Sequence, residues 1–116
     1  MLPSSSKQKG RKGQQIVRDA ILAMFPELEP DDVRSTAMGQ SGEDLQLSPA
    51  ARKVLPYQIE VKNKARSQIH SYHDQAKTHG NYTPLVFVKM DRKETLAIIE
   101  MDKFLELLRK VANKGE

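Results

Sequence analysis

The stretch Tyr57-Gln58-Ile59-Glu60-Val61-Lys62-Asn63-Lys64 constrains this chain most. Ile59 and Val61 alternate with Gln58, Glu60 and Lys62, so the sequence predicts a strand from Leu55 to Lys62. Side chains of a strand alternate between two faces, which puts Glu60 and Lys62 on one side, with Gln58. A carboxylate and an ammonium held on one sheet face are costly unless something uses them. Asp44 supplies a second carboxylate. Two carboxylates and a lysine around one point are equipment for holding a divalent metal and a phosphate.

The rest of the composition narrows the setting. A chain of 116 residues predicts one domain. Cysteine is absent, which removes disulfides and thiolate metal sites and fits a reducing compartment. No apolar run is long enough to span a bilayer, and the N-terminus shows no signal-peptide core, so the expected location is cytoplasmic. The net charge of +4 and pI near 9.4 favour an anionic partner. Aromatic residues are only 5% and tryptophan is absent, which argues against a base-stacking platform for single strands.

Taken in order, residues 1–10 are expected to be a flexible basic arm, and 11–112 a single domain. Lys7, Lys9, Arg11 and Lys12 make the arm either a frayed, solubilising terminus or a phosphate-contacting segment. A helix is expected from Gly13 to Phe25, with Val17, Ala20, Ile21 and Met24 facing inward and Pro26 as its stop. Val33–Met38 and Asp44–Leu47 read as short strands around a Gly39–Gly42 turn. Ser48-Pro49 opens a helical turn, with Ser48 as the cap. Ser67–Thr78 reads as a helix with Ile69, Tyr72 and Ala76 inward. Pro84–Val88 is a continuous apolar run, expected as a strand covered on both faces. Asp91-Arg92-Lys93-Glu94 is the turn of a hairpin whose return strand is Leu96–Ile99. Asp102 is expected to cap a last amphipathic helix carrying Phe104, Leu105, Leu107, Leu108 and Val111. The fold class is therefore α/β, a mixed sheet flanked by helices.

Asp44, followed sixteen positions later by Glu60-x-Lys62, resembles the motif of the PD-(D/E)XK, or restriction-endonuclease-like, nuclease superfamily. The flanking order fits too: a helix before the motif, a helix after it containing Asp74-Gln75-Ala76, then the apolar strand and hairpin. Within the superfamily the chain looks most like small phage-encoded nucleases and archaeal-type Holliday-junction resolvases, over residues 11 to 108. Two departures stand out. Glu43 replaces the proline of the motif. Resolvase-like relatives carry a glutamate on the first helix, where this chain has Gln14 and Val17.

The resemblance implies an αβββαβ restriction-endonuclease-like core and divalent-metal-dependent hydrolysis of DNA phosphodiesters. Asp44, Glu60 and the Val61 carbonyl are then the ligands of Mg²⁺ or Mn²⁺. Lys62 orients the attacking water and stabilises charge in the transition state. Gln75 and Gln14 are further candidates for positioning phosphate or water. Arg52, Lys53, Lys64 and Arg66 flank the motif as expected contacts to the DNA backbone, together with the basic arm. One site per chain against two strands implies a homodimer, with Phe104, Leu105 or the first helix as interface surfaces. The alternatives are a Holliday-junction or branched-DNA resolvase and, in another class, a non-catalytic nucleic-acid-binding module with a degenerate site. His70, His73 and His79 have no HExxH frame and no cysteine, so zinc is not expected.

Overall fold

The computed structural model describes residues 3–37 and 42–114, and side chains from Lys7 onward. The Gly39–Gly42 turn lies outside the described residues up to 41. Nine elements follow in order: α1 (Pro3–Met24), a 3₁₀ turn (Pro30–Asp32), β1 (Val33–Ser35), β2 (Leu45–Leu47), α2 (Pro49–Val54), α3 (Gln68–Lys77), β3 (Leu85–Val88), β4 (Leu96–Ile99) and α4 (Met101–Lys114). The chain is α/β, with two small antiparallel sheets, β1–β2 and β3–β4, and four α-helices among the described residues. Its contacts divide it into two compact units, Met1–Lys64 with Leu105–Glu116, and Ala65–Phe104. No helix among the described residues is long and apolar enough to cross a membrane.

The first unit is built on α1. Helix α1 starts at Pro3, so the expected loose arm is helical over residues 3–10. Lysine and glutamine are good helix formers, and the glycines at 10 and 13 each cost only about 1 kcal/mol against alanine. Inward, α1 buries Gln14, Ile21 and, just past its end, Phe25; Val17, Ala20 and Met24 are half-buried. Phe25 donates its N–H to the Ile21 carbonyl, and Pro26 ends the helix there. Arg18 ties the helix to the following segment, donating from Nε to the Val33 carbonyl and from Nη2 to the Pro30 carbonyl. Val33 and Leu45 are fully buried, and β1 pairs β2 in the register Val33–Leu47, Arg34–Gln46 and Ser35–Leu45.

The start of α2 is fixed from two directions. Ser48 Oγ accepts the Ala51 N–H at 3.1 Å and donates to Asp32 Oδ1 at 2.6 Å. The expected cap and the proline at the first helical position are both present. Ala51 and Leu55 then bury their side chains. In the same unit Leu105 is buried, and Arg109 lies 5.0 Å from the centre of the Phe25 ring and donates to Glu27. Phe104 and Leu108 are half-buried, while Leu107 and Val111 are exposed, so the last helix buries far less of its apolar stripe than its pattern suggested. Leu105, being buried within the chain, is removed from the expected dimer surfaces.

In the second unit, helix α3 has the expected ends, with Ser67 before it and Thr78 after it. Its expected inward stripe is only partly formed: Ala76 is half-buried, while Ile69 and Tyr72 are exposed. Strands β3 and β4 form the expected hairpin, Leu85 opposite Ile99 and Val88 opposite Leu96. Arg92 in its turn has a φ of 63°, the left-handed region that closes such loops. The expectation of a strand covered on both faces fails: Val86 and Val88 are half-buried, whereas Leu85 is exposed and Phe87 is 68% exposed. A two-stranded hairpin has one helix to lie against, so only one of its faces finds cover. Helix α4 begins at Met101, with the Phe104 N–H donated to the Glu100 carbonyl; Asp102 is inside the first turn and not the residue before it.

Candidate metal and phosphate site

Leu55–Lys62 does not form the expected strand; no ladder pairs it, and at its start the Tyr57 N–H turns back to the Leu55 carbonyl at 2.9 Å. Asp44 accounts for this. Its N–H donates to the Ile59 carbonyl at 3.0 Å, which begins a pairing between the two segments. Its carbonyl, which would continue that pairing, already accepts the Thr36 N–H at 2.9 Å. The Val61 N–H is therefore taken by the Asp44 carboxylate, at 2.6 Å to Oδ2. A side-chain oxygen stands where a strand would use a backbone oxygen. That draws the carboxylate to the backbone between Glu60 and Lys62.

Glu60 and Lys62 lie together, as the alternation requires, with Lys62 Nζ 3.6 Å from Glu60 Oε2. Both side chains are about two-thirds exposed, at 71% for Glu60 and 67% for Lys62. An ion pair this open is worth at most about 1 kcal/mol, so Lys62 is readily drawn to a stronger anion. A cleft of about 330 Å³ lies beside the pair, lined by Gly42, Glu43, Gln58, Ile59 and Glu60. Gly42 has a φ of 101°, a conformation that side-chain-bearing residues rarely adopt, and it turns the chain into Glu43-Asp44.

Two residues that the sequence reading passed over hold this arrangement. Thr36, 6% exposed, donates its hydroxyl to the Glu43 carbonyl and its N–H to the Asp44 carbonyl. Asn63 Nδ2 donates to the Lys9 carbonyl at 2.8 Å and so fastens the motif to α1. Gly13 makes that contact possible: a Cβ there would stand 2.9 Å from Asn63 Cβ and 3.4 Å from Val61 Cγ1. A glycine inside a helical pattern was the available signal for this close approach. Thr36 gave none, because its partners are distant in sequence.

The remaining candidates fall in different places. Gln14 is buried, 5% exposed, at the edge of a second cleft in the same unit. Lys7, Arg11 and Lys12 are exposed on α1, and Lys9 is half-buried. Lys53 and Lys64 are exposed. Arg52 is engaged: Nη2 donates to Glu43 Oε2 at 2.7 Å and Nη1 to the Tyr57 carbonyl at 3.1 Å. It braces the loop, in place of the open phosphate contact expected from its position. Arg66 and Gln75 belong to the second unit, both exposed. There His73 Nε2 lies 3.4 Å from Glu100 Oε2.

Among the described residues, no three His, Cys, Asp or Glu side chains are grouped to hold a metal. Magnesium does not require such a cage; it is commonly held by one or two carboxylates and keeps several waters. Asp44 and Glu60 offer hard oxygens, and the Val61 N–H occupies only Oδ2 of Asp44. The donor chemistry thus fits a hard divalent cation. No family model, curated protein or solved structure matches the chain.

Proposed function

We propose that this chain is a divalent-metal-dependent DNA endonuclease with a restriction-endonuclease-like architecture. The observation that carries the reading is the Asp44 carboxylate on the N–H of Val61, the residue that separates Glu60 from Lys62 in the chain. Asp44 and Glu60 would hold Mg²⁺ or Mn²⁺, with the Val61 carbonyl as a third oxygen. The cation, when bound, polarises the scissile phosphate and makes a water more acidic. Lys62 exchanges its weak partner Glu60 for the phosphate, orients the attacking water and balances the charge that grows on the phosphate oxygens. Groups of this kind each contribute roughly 10²–10³ in rate.

Thr36, Asn63 and Arg52 would act as positioning residues: Thr36 holds the Glu43 carbonyl beside Asp44, Asn63 ties the residue after Lys62 to α1, and Arg52 bridges the Glu43 carboxylate and the Tyr57 carbonyl. The phosphate path in the first unit would include Lys7, Lys9, Arg11, Lys12, Lys53 and Lys64. Cutting both strands of a duplex from one site per chain calls for two copies. The test is cleavage of labelled linear, nicked, flapped and four-way-junction DNA in Mg²⁺ and in EDTA. An endonuclease cuts in Mg²⁺ alone, and a resolvase cuts the junction alone. Binding without cutting on every substrate contradicts the reading in favour of a non-catalytic module.

A further inference from the structure

We propose that a second cleft in the first unit, lined by Lys7, Arg11, Gln14, Gln15, Ser35 and Thr36, is an oxyanion site that takes one phosphate of a nucleic-acid strand. The nucleic acid as source rests on the nuclease reading; the oxyanion chemistry does not. The cleft encloses about 390 Å³, and no acidic side chain among the described residues lines it. Lys7, Arg11 and Gln14 recur every three to four residues, which puts them on one face of α1. Neither cation makes an ion pair among the described residues. The opposite wall is the end of β1, where the Ser35 hydroxyl oxygen is buried and has no hydrogen-bond partner among the described residues.

That hydroxyl separates a built site from an ordinary basic helix face. Buried polar groups are almost always satisfied, and an unsatisfied one costs stability unless a ligand or water completes it. A phosphate oxygen would accept from the Ser35 hydroxyl, while Lys7 and Arg11 supply charge-assisted bonds. The cleft also adjoins the motif. Thr36 in its wall donates its N–H to the Asp44 carbonyl, and the α1 backbone that carries Lys7 and Arg11 accepts from Asn63 at Lys9. A phosphate held here would flank the one at Asp44, Glu60 and Lys62, and would fix which bond of the strand reaches them.

The experiment titrates the full chain with inorganic phosphate and follows backbone amide shifts, for the parent, Arg11→Gln and Ser35→Ala. Thermal unfolding of each variant is recorded alongside. The parent should show saturable one-to-one shifts centred on Arg11, Ser35 and Thr36. Arg11→Gln should weaken binding about tenfold or more, as expected for a lost charge-assisted contact. Ser35→Ala should weaken it about threefold to tenfold while leaving the melting temperature unchanged or raised, because an unsatisfied hydroxyl has been removed. Non-saturating shifts spread over all basic residues, or a Ser35→Ala variant that binds phosphate like the parent, would overturn the site.

A cleavage assay on the same samples keeps the two claims apart. Saturable phosphate binding by a parent that never cuts DNA leaves the oxyanion site standing and removes the nuclease reading. Metal-dependent cutting by a parent whose phosphate shifts are diffuse does the reverse.

Discussion

Asp44 accepts the Val61 N–H at 2.6 Å, and so one carboxylate is fixed to the backbone that presents Glu60 and Lys62. The hydrogen bond and the cation ask different things of this side chain. An amide oxygen can replace the carboxylate oxygen in the bond, but it brings no charge. Asp44→Asn should therefore fold with nearly the parent's stability and lose cleavage by about 10²-fold or more. Asp44→Ala leaves the Val61 N–H without its acceptor and should in addition lose about 1–3 kcal/mol. Thermal unfolding paired with single-turnover cleavage separates the two variants.

Gly13→Ala tests how the motif is seated. The new Cβ would meet Asn63 Cβ at 2.9 Å, and that atom is too close to the backbone to swing away. Overpacking of this kind costs about 1–3 kcal/mol, against a gain of about 1 kcal/mol in helix propensity. The variant should be no more stable than the parent and should cut more slowly, although position 13 carries none of the proposed ligands. A more stable variant with parental activity would show that α1 does not set the motif's position.

The acid limit of the fold should depend on Asp32 and Glu27. The Ser48 hydroxyl, and then the Glu29 N–H, hold Asp32 below the usual aspartate range. The hydrogen bond from Arg109 does the same for Glu27. A depressed carboxylate contributes stability that is complete above its unfolded value, near 3.9 for Asp and 4.3 for Glu, and lost as pH falls through the lower folded value. Ser48→Ala removes the largest cause at Asp32. Its unfolding midpoint should fall less than the parent's between neutral pH and the acid range. At neutral pH it should also show the loss of a helix cap, about 0.5–2 kcal/mol. Denaturant melts at several pH values measure both effects.

Local signals in the sequence translated well. Pro26 ends α1, Ser48 with Pro49 starts α2, and the Asp91–Glu94 turn joins β3 to β4. The proximity of Glu60 and Lys62 agrees with strand alternation even though no strand forms, with the two charged ends 3.6 Å apart. Features that depend on distant partners were not legible. Whether Leu55–Lys62 pairs as a strand turns on where the Asp44 carbonyl points, and Thr36 decides that. Whether β3 is covered on both faces depends on what packs there, and an apolar run carries no record of it. The arm's Ser, Lys and Gly content suggested a loose terminus, but nothing in it interrupts a helix strongly enough to stop α1 from extending to Pro3.

Lys62→Ala gives the most direct measurement of the central claim. Lys62 is exposed, and its one ion-pair partner among the described residues is Glu60, so its removal should leave fold and DNA affinity close to those of the parent. The proposed role is on the transition state, where the loss should appear as a fall in single-turnover rate of roughly 10²–10³. Binding is measured separately in Ca²⁺, and cleavage in Mg²⁺ and Mn²⁺. The account predicts parental binding with cleavage lost, and no cleavage by the parent in EDTA. A Lys62→Ala variant that cuts as fast as the parent, or a parent that cuts equally well in EDTA, contradicts it.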